Sequence, residues 1–177
     1  MTRRRGTAEA PVREHVTHGF PPFWQRDAVI LILGSFPSVR SRETSFFYGH
    51  PRNRFWQVLA AVRRQPCPQT IEEKKVFLAA NHIALYDTLE ACDIRGSADS
   101  SITNAEPADL HPILEGAAIR RIFTNGRTSQ KYYDRWQAPV LHREAVCLPS
   151  TSPANAAWSL TQLTEAWSVI NTELEEK

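Results

Sequence analysis

The feature that most constrains the fold is the alternation of four short apolar runs with longer segments of helical periodicity. The runs span residues 28–33, 82–86, 119–124 and 141–148. Strands that alternate with helices along a chain typically form a parallel sheet covered by helices. We therefore predict an α/β fold, a three-layer α/β/α sandwich whose central four-stranded sheet is mainly parallel.

Helical periodicity fills most of the intervals between these runs. Apolar residues recur at helical spacing over 55–62, and Thr70-Ile71-Glu72-Glu73 is a capping box that opens a second helix. The predicted helices span residues 54–64, 70–81, 107–116, 126–136 and 158–174. The connection 87–106 shows no periodicity, so we expect a long irregular loop, and such loops in compact domains are often functional.

Length and composition favour one domain. A chain of 177 residues with 42% apolar residues is long enough for one hydrophobic core. We expect residues 21–177 to form a single domain. Residues 1–20 are rich in Arg, Pro and Glu without periodicity, and we expect them to form an N-terminal arm that is mobile or wraps an edge of the domain.

Several classes of protein are disfavoured by what the sequence lacks. The three cysteines, Cys67, Cys92 and Cys147, lack metal-ligand spacing, so we expect no metal, no iron–sulfur cluster and no other cofactor. No apolar run is long enough to cross a membrane, and no signal-peptide pattern follows the arginines at 3–5. We expect a cytoplasmic monomer without a membrane partner.

Three loops follow predicted strands and should meet at one edge of the sheet: residues 34–53, 87–106 and 149–157. Ligands of open α/β sheets bind at this edge. The first loop combines aromatic residues with arginines, a combination that binds a base and its flanking phosphates; the residues are Phe36, Phe46, Phe47, Tyr48, Arg40, Arg42, Arg52 and Arg54. Core packing for each aromatic and a solvated surface for each arginine are the alternatives.

The third loop contains Ser152-Pro153, which can serve as the N-cap and first residue of a helix. A helix N-terminus presents free N–H groups that bind phosphate. Read only as caps and turns, the segment needs no function.

Two motifs in this order carry a family resemblance. The first is Gly34-Ser35-Phe36-Pro37 with the later His50-Pro51-Arg52-Asn53-Arg54-Phe55-Trp56, and the second is Leu148-Pro149-Ser150-Thr151-Ser152-Pro153. Together they resemble the uracil-DNA glycosylase superfamily, most closely its DNA-deoxyinosine (hypoxanthine-DNA) glycosylase branch and more distantly the mismatch-specific uracil/thymine glycosylases. The likeness covers about residues 27–170.

The resemblance implies a catalytic role for Asn53, which would position the attacking water through its amide oxygen. Relatives usually place an Asp or Asn where this chain has Phe36, which cannot hold water, and the deoxyinosine-type branch assigns the role to the asparagine of the His-Pro-x-Asn motif. From the residues alone, an N-cap for the helix that follows is the favoured interpretation of Asn53. Ser150 stands where classical relatives have a catalytic histidine.

The resemblance also implies a base pocket and a DNA contact surface. Tyr48 would stack on the extruded base, and His50 would donate to the base or orient the loop. The pocket is predicted from Gly34, Ser35, Phe36, Pro37, Tyr48, His50 and Ser150. DNA contacts are predicted from Ser38, Arg40, Arg52, Ser152, Pro153, Ala154 and Asn155.

The function implied is that of a base-excision repair glycosylase acting on DNA that contains deaminated bases, most readily hypoxanthine. Such an enzyme extrudes the nucleotide and hydrolyses its N-glycosidic bond. None of the four lysines lies in the three loops, so no Schiff-base nucleophile is available there and a monofunctional enzyme that leaves an abasic site is expected. The alternatives are a uracil or mismatch-specific glycosylase and an inactive module that binds damaged DNA.

Overall fold

The computed structural model describes residues 9–175 and contains two sheets and eight α-helices in that range. The strands are β1 (Arg13–Thr17), β2 (Ile30–Gly34), β3 (Ile83–Asp87), β4 (Leu89–Arg95), β5 (Thr103–Pro107), β6 (Arg121–Asn125) and β7 (Ala145–Leu148). The helices are α1 (Val39–Thr44), α2 (Phe55–Arg63), α3 (Ile71–Ala80), α4 (His111–Gly116), α5 (Arg127–Tyr132), α6 (Ala138–Leu141), α7 (Leu160–Trp167) and α8 (Ile170–Glu175). A π-helical turn, Tyr133–Gln137, joins α5 to α6.

The central sheet is parallel throughout, with the order β3-β2-β6-β7. Its four strands are the four apolar runs, so the predicted α/β class and the four-stranded parallel sheet are confirmed. All five residues of β2 are buried because strands flank it on both sides and helices cover the sheet. A central parallel strand is therefore an uninterrupted apolar run.

Helix starts follow local capping chemistry. Thr70 caps α3 with the predicted capping box, and Asn81 is its C-cap. A second capping box, in which Ser159 and Gln162 bond reciprocally, starts α7 at Leu160. Ser152-Pro153 therefore does not begin a helix, and the predicted terminal helix is divided into α7 and α8.

The second sheet is three-stranded and antiparallel, with the order β1-β4-β5, and the sequence pattern did not predict it. Residues 87–106 are not an irregular loop, because β3 passes through Thr88 directly into β4. The N–H groups of Thr88 and Leu89 donate to the carbonyls of Gly34 and Ser35, which ties this crossing to the end of β2. Charged residues interrupt the apolar positions of β4 and conceal its periodicity.

The N-terminal segment supplies an edge strand of this sheet. Arg13–Thr17 pairs antiparallel with β4, with Arg13 opposite Arg95 and Thr17 opposite Ala91. Of the two arrangements expected for residues 1–20, this strand corresponds to the one in which the segment wraps an edge of the domain. Residues 1–8 lie outside the described residues. Within residues 9–175 no helix has the length and apolar character that a membrane span requires.

Candidate active site

A cleft of about 1040 Å³ lies at the carboxyl edge of the parallel sheet. The three loops predicted to meet there all contribute to its wall, through residues 34–38, 97–100 and 147–155 among others. A fourth segment, Asn125 to Thr128 after β6, completes the wall and was not included in the prediction. The carboxyl ends of four parallel strands converge there, as the topology requires.

The cleft brings together every residue predicted for the base pocket. Those residues are Gly34, Ser35, Phe36, Pro37, Tyr48, His50 and Ser150, and Asn53 lies in the same wall. Five of the predicted DNA contacts, Ser38, Ser152, Pro153, Ala154 and Asn155, also line it. Arg40 and Arg52 do not line the cleft: both are exposed, and Arg40 pairs with Glu43 at 3.3 Å.

Asn53 is held by two hydrogen bonds to its side-chain oxygen. Oδ1 accepts the N–H of Phe55 at 3.0 Å and the hydroxyl of Thr151 at 2.8 Å. An amide oxygen has two lone pairs, so these two donors fill it. The expectation that this oxygen holds the attacking water is therefore not met, whereas Nδ2 has no hydrogen-bond partner among residues 9–175 and is available as a donor.

Thr151 and Asn125 complete this network, and the sequence analysis assigned neither of them a role. Thr151 is fully buried; its hydroxyl accepts from Nδ2 of Asn125 at 2.9 Å, and its N–H donates to Oδ1 of Asn125 at 3.0 Å. The chain Asn125–Thr151–Asn53 thus links the end of β6, the loop 149–157 and the start of α2. An asparagine directly after an apolar strand was the available signal.

The loop 149–157 is fixed further by two large side chains. The guanidinium of Arg54 donates to the carbonyl of Asn155 at 3.0 Å and to that of Trp158, and its backbone N–H donates to the carbonyl of Thr151. Nε1 of Trp167 donates to the carbonyl of Pro149 at 2.9 Å. Arg54 therefore stabilises the loop 149–157 through hydrogen bonds to its backbone and is not a free surface cation.

Tyr48 adopts a strained backbone conformation at the cleft wall. Its φ is +51°, in the left-handed region, and its ring stacks on Phe55 with centroids 3.8 Å apart. The hydroxyl is buried beside the side-chain amide of Asn125. Burial and the nearby Asp87 carboxylate raise the pKa of the phenol well above its ordinary value, so Tyr48 is neutral. Strain at a non-glycine residue that lines a cleft is a recurrent property of functional sites.

Phe36 and Ser150 have structural contacts of their own. Phe36 is buried in the cluster that joins the first loop to the antiparallel sheet, which includes Leu89, Cys92, Ile94, Ile102 and Tyr132. Oγ of Ser150 accepts the N–H of Ser152 at 3.1 Å, which leaves the hydroxyl hydrogen free to donate. Ser150 packs closely against the backbone of Gly126, whose φ is +95°. A side chain at residue 126 would prevent this contact, because its Cβ would lie 3.0 Å from Cβ of Ser150.

Two carboxylates in the wall were missed by the sequence analysis. Asp87, at the end of β3, accepts a 2.6 Å hydrogen bond from Nε2 of His18 through Oδ2, and both side chains are buried. Asp99 accepts the hydroxyl of Ser35 at 2.9 and 3.0 Å. Removal of water from the Asp99 carboxylate raises its pKa despite the Ser35 bond, and the charge of Asp87 acts in the same direction. The sequence separation of these partners, 69 and 64 residues, left no local signal.

The described residues contain no group of three or more His, Cys, Asp or Glu side chains arranged for a metal ion. The polar groups of the cleft include amides, hydroxyls, two carboxylates, the His50 imidazole and the Arg127 guanidinium. Together they offer many hydrogen-bond donors and acceptors around one concave space, as an enzyme of the α/β class requires.

The parallel sheet and the cleft at its carboxyl edge define an α/β protein whose ligand site lies where open α/β sheets bind their ligands. A family model described as "Uracil DNA glycosylase superfamily" matches residues 21–172. The chain therefore belongs to the uracil DNA glycosylase superfamily, and it is a DNA glycosylase by class.

Individual relatives are similar over most of the chain. A protein from Methanosarcina acetivorans named "Hypoxanthine DNA glycosylase" is 33% identical over 160 residues, which cover 88% of this chain and 98% of the relative. A protein of the same name from Methanosarcina barkeri is 32% identical over 143 residues, covering 77% and 87%. A solution NMR structure from M. acetivorans, described as a candidate uracil DNA glycosylase, superposes with a TM-score of 0.76 at 32% identity, covering 90% of this chain and 99% of that one.

Proposed function

We propose that this protein hydrolyses the N-glycosidic bond of hypoxanthine in DNA and leaves an abasic site. The observation that carries the proposal is the cleft in which the two motif loops are joined by the bond between Thr151 and Asn53. Two relatives named for hypoxanthine excision, at 32% and 33% identity, support this substrate. The DNA that contains deaminated bases is thus the proposed partner, and a monomer is the proposed working form.

The chemistry requires donors that stabilise the leaving base and a site for water beside C1′. As the bond stretches, positive charge develops on the sugar and negative charge on the base, so groups that are aligned before the reaction lower the barrier. The hydroxyl of Ser150 and Nδ2 of Asn53 are the side-chain donors proposed here. An amide is not a base at neutral pH, so Asn53 would act by holding the water oxygen or the base.

The extrusion of the nucleotide adds selectivity before any bond is broken. Unpairing and unstacking cost a few kcal/mol, and the cost is smallest for a poorly paired base. Hypoxanthine opposite thymine is such a base, because it arises from adenine by loss of the amino group. No lysine lines the cleft among the described residues, which supports a hydrolytic reaction without a Schiff base.

The first test is single-turnover excision from matched duplexes that contain one deoxyinosine, deoxyuridine or deoxyxanthosine. We expect hypoxanthine to be released most rapidly by the wild type. Faster release of uracil would assign the protein to a uracil or mismatch activity. Binding of these duplexes without release of any base would identify a binding module and refute the proposal.

The role of Asn53 is tested with Asn53→Asp, which keeps an oxygen for Phe55 and Thr151 but removes the Nδ2 donor. We expect excision to fall on the order of 100-fold, as for loss of one positioned donor, with an unchanged melting temperature. Gln57→Ala is the matched control, because it removes an exposed amide from α2, the helix that follows Asn53. If Asn53→Asp excises hypoxanthine as rapidly as the wild type, the donor role of Asn53 is refuted.

A further inference from the structure

The N-terminal segment contributes a buried histidine, His18, that bonds Asp87 in the cleft wall from behind and has no role in the proposed mechanism. His18 follows β1 directly, and its backbone N–H donates to the carbonyl of Glu90 at 2.7 Å, so the antiparallel sheet positions it. Its side chain is fully buried and its Nε2 bonds Asp87 at 2.6 Å. A buried pair of this kind, outside the motif residues, calls for a functional explanation.

The surroundings of His18 indicate that Nε2 is the ring nitrogen that donates to Asp87. Four aromatic rings surround it, with centroid distances of 4.5 Å to Phe20, 4.7 Å to Tyr86, 6.1 Å to Phe47 and 6.2 Å to Phe36. Nδ1 is buried with no hydrogen-bond partner among residues 9–175. A hydrogen on Nδ1 would be a buried unpaired donor, which is costly, whereas a hydrogen on Nε2 is paired with Asp87.

The second oxygen of Asp87 faces the cleft. Oδ1 has no hydrogen-bond partner in the part of the chain described, and Asp87 lines the cleft together with Gly34 and Tyr48. Gly34 provides the space, because a Cβ on this residue would lie 2.3 Å from Oδ1. One oxygen of Asp87 is thus fixed by His18, and the other remains available to a molecule in the cleft.

We propose that His18 is a positioning residue that holds Asp87 so that its free oxygen accepts an N–H from the edge of the extruded base. An ionised carboxylate is an acceptor only. Hypoxanthine presents N1–H, and uracil presents N3–H, whereas adenine and cytosine present an unprotonated ring nitrogen at the same place. The pair therefore selects deaminated bases over adenine and cytosine. Guanine also carries N1–H, so its exclusion requires another contact. This inference rests on the proposed function and adds a determinant of specificity to it.

Three variants separate this role from a purely structural one. His18→Phe fits the aromatic surroundings but cannot donate, His18→Gln restores an N–H donor, and Asp87→Asn removes the negative charge. His15→Phe is the matched control, because His15 forms a similar 2.7 Å pair with Asp93 on the exposed side of the same sheet. All variants are measured by single-turnover excision of deoxyinosine, by melting temperature, and by binding to a duplex with an abasic-site analogue, which has no base edge.

We expect His18→Phe to lower the excision rate on the order of 100-fold, as misplacement of a reacting partner does, with unchanged binding of the abasic-analogue duplex. His18→Gln should recover most of the rate, and His15→Phe should match the wild type. In the Asp87→Asn background, His18→Phe should cause no further loss, because His18 acts through Asp87. Asp87→Asn should also lower the preference for deoxyinosine over deoxyadenosine, because an amide can donate to the adenine ring nitrogen.

Three results would overturn the inference. These are an unchanged rate in His18→Phe, a further loss of rate in the Asp87→Asn background, and equal losses of excision and abasic-analogue binding. Each leaves the proposed glycosylase activity intact, because the wild type still releases hypoxanthine. A wild type that releases no base instead refutes the proposed function, and this inference with it.

Discussion

The most informative single perturbation of the site is Thr151→Val, which removes one buried hydroxyl and keeps the shape of the side chain. The hydroxyl accepts from Nδ2 of Asn125 at 2.9 Å and donates to Oδ1 of Asn53 at 2.8 Å. After the change Asn53 still receives the N–H of Phe55. The main loss falls on Nδ2 of Asn125, which loses its 2.9 Å hydrogen bond to the Thr151 hydroxyl.

The expected loss in the free energy of unfolding follows from these hydrogen bonds. One partly buried donor left unpaired costs about 1–3 kcal/mol, and we expect about 2 kcal/mol because Asn125 is not fully buried. For a chain of this length that corresponds to a decrease in melting temperature of about 4–8 °C. The protein remains folded at 25 °C, because native stabilities are typically about 5–15 kcal/mol.

The expected effect on catalysis is larger than the effect on stability. Loss of the bond to Thr151 releases Asn53 from the loop 149–157, so the two motif loops lose their relative position. We expect single-turnover excision of deoxyinosine to fall on the order of 100-fold, the usual consequence of a displacement of about 1 Å. Urea unfolding and excision are measured on the same preparations.

Thr164→Val is the matched control, because within residues 9–175 the hydroxyl of Thr164 bonds only the carbonyl of Leu160 in its own helix. Its free energy of unfolding should change by less than about 0.5 kcal/mol. If Thr151→Val keeps both the wild-type melting temperature and the wild-type excision rate, the Asn125–Thr151–Asn53 network does not organise the site.

Three further predictions concern packing, thiol reactivity and pH. Gly34→Ala should destabilise the fold by about 1–3 kcal/mol and impair excision, since the new Cβ would lie 2.3 Å from Oδ1 of Asp87; wild-type stability in urea would show that the carboxylate moves freely. Alkylation of the native protein at pH 8 should modify the exposed Cys147 and spare the buried Cys92, because burial raises the pKa of the Cys92 thiol to about 11; mass spectrometry that finds both modified at one rate would contradict this. Hydrogen bonds from the backbone N–H groups of residues 69 and 70 lower the pKa of Glu73, so its contribution to stability is present above the unfolded-state pKa and is lost as the pH falls through the folded-state value. Glu73→Gln should therefore lower the melting temperature at pH 6 more than at pH 3, and an equal decrease at both values would refute this assignment.

Local sequence patterns were sufficient for the parallel sheet and for most helices. The run that became β2 is apolar at every position because it is buried on both faces, and α3 begins at a capping box that is complete within four residues. The glycines, prolines and aromatics of the first loop also marked the edge where the cleft lies. In each case the physical determinant acts between residues that are neighbours in sequence.

The antiparallel sheet and the polar pairs of the cleft depended on contacts between distant residues. Strand β4 carries charged residues because only part of its surface is buried, and it is stabilised by pairing with β1 and β5. Neither β1 nor β5 has an apolar pattern that indicates its pairing with β4. Pairing of β1 with β4 in this sheet also places His18 next to Asp87, although the two residues are 69 positions apart in the sequence.

The sequence by itself therefore determined the α/β class, the parallel strands, the start of α3 and the location of the cleft, because these depend on hydrophobic periodicity and capping over a few residues. Only the tertiary structure decided the chemical roles available to individual side chains. In the folded protein, Oδ1 of Asn53 accepts two hydrogen bonds and the guanidinium of Arg54 donates to loop carbonyls. One oxygen of Asp87 is bonded by His18, and the other remains available in the cleft. A side chain's free donors and acceptors are those its partners leave unused, and those partners are assembled by long-range folding.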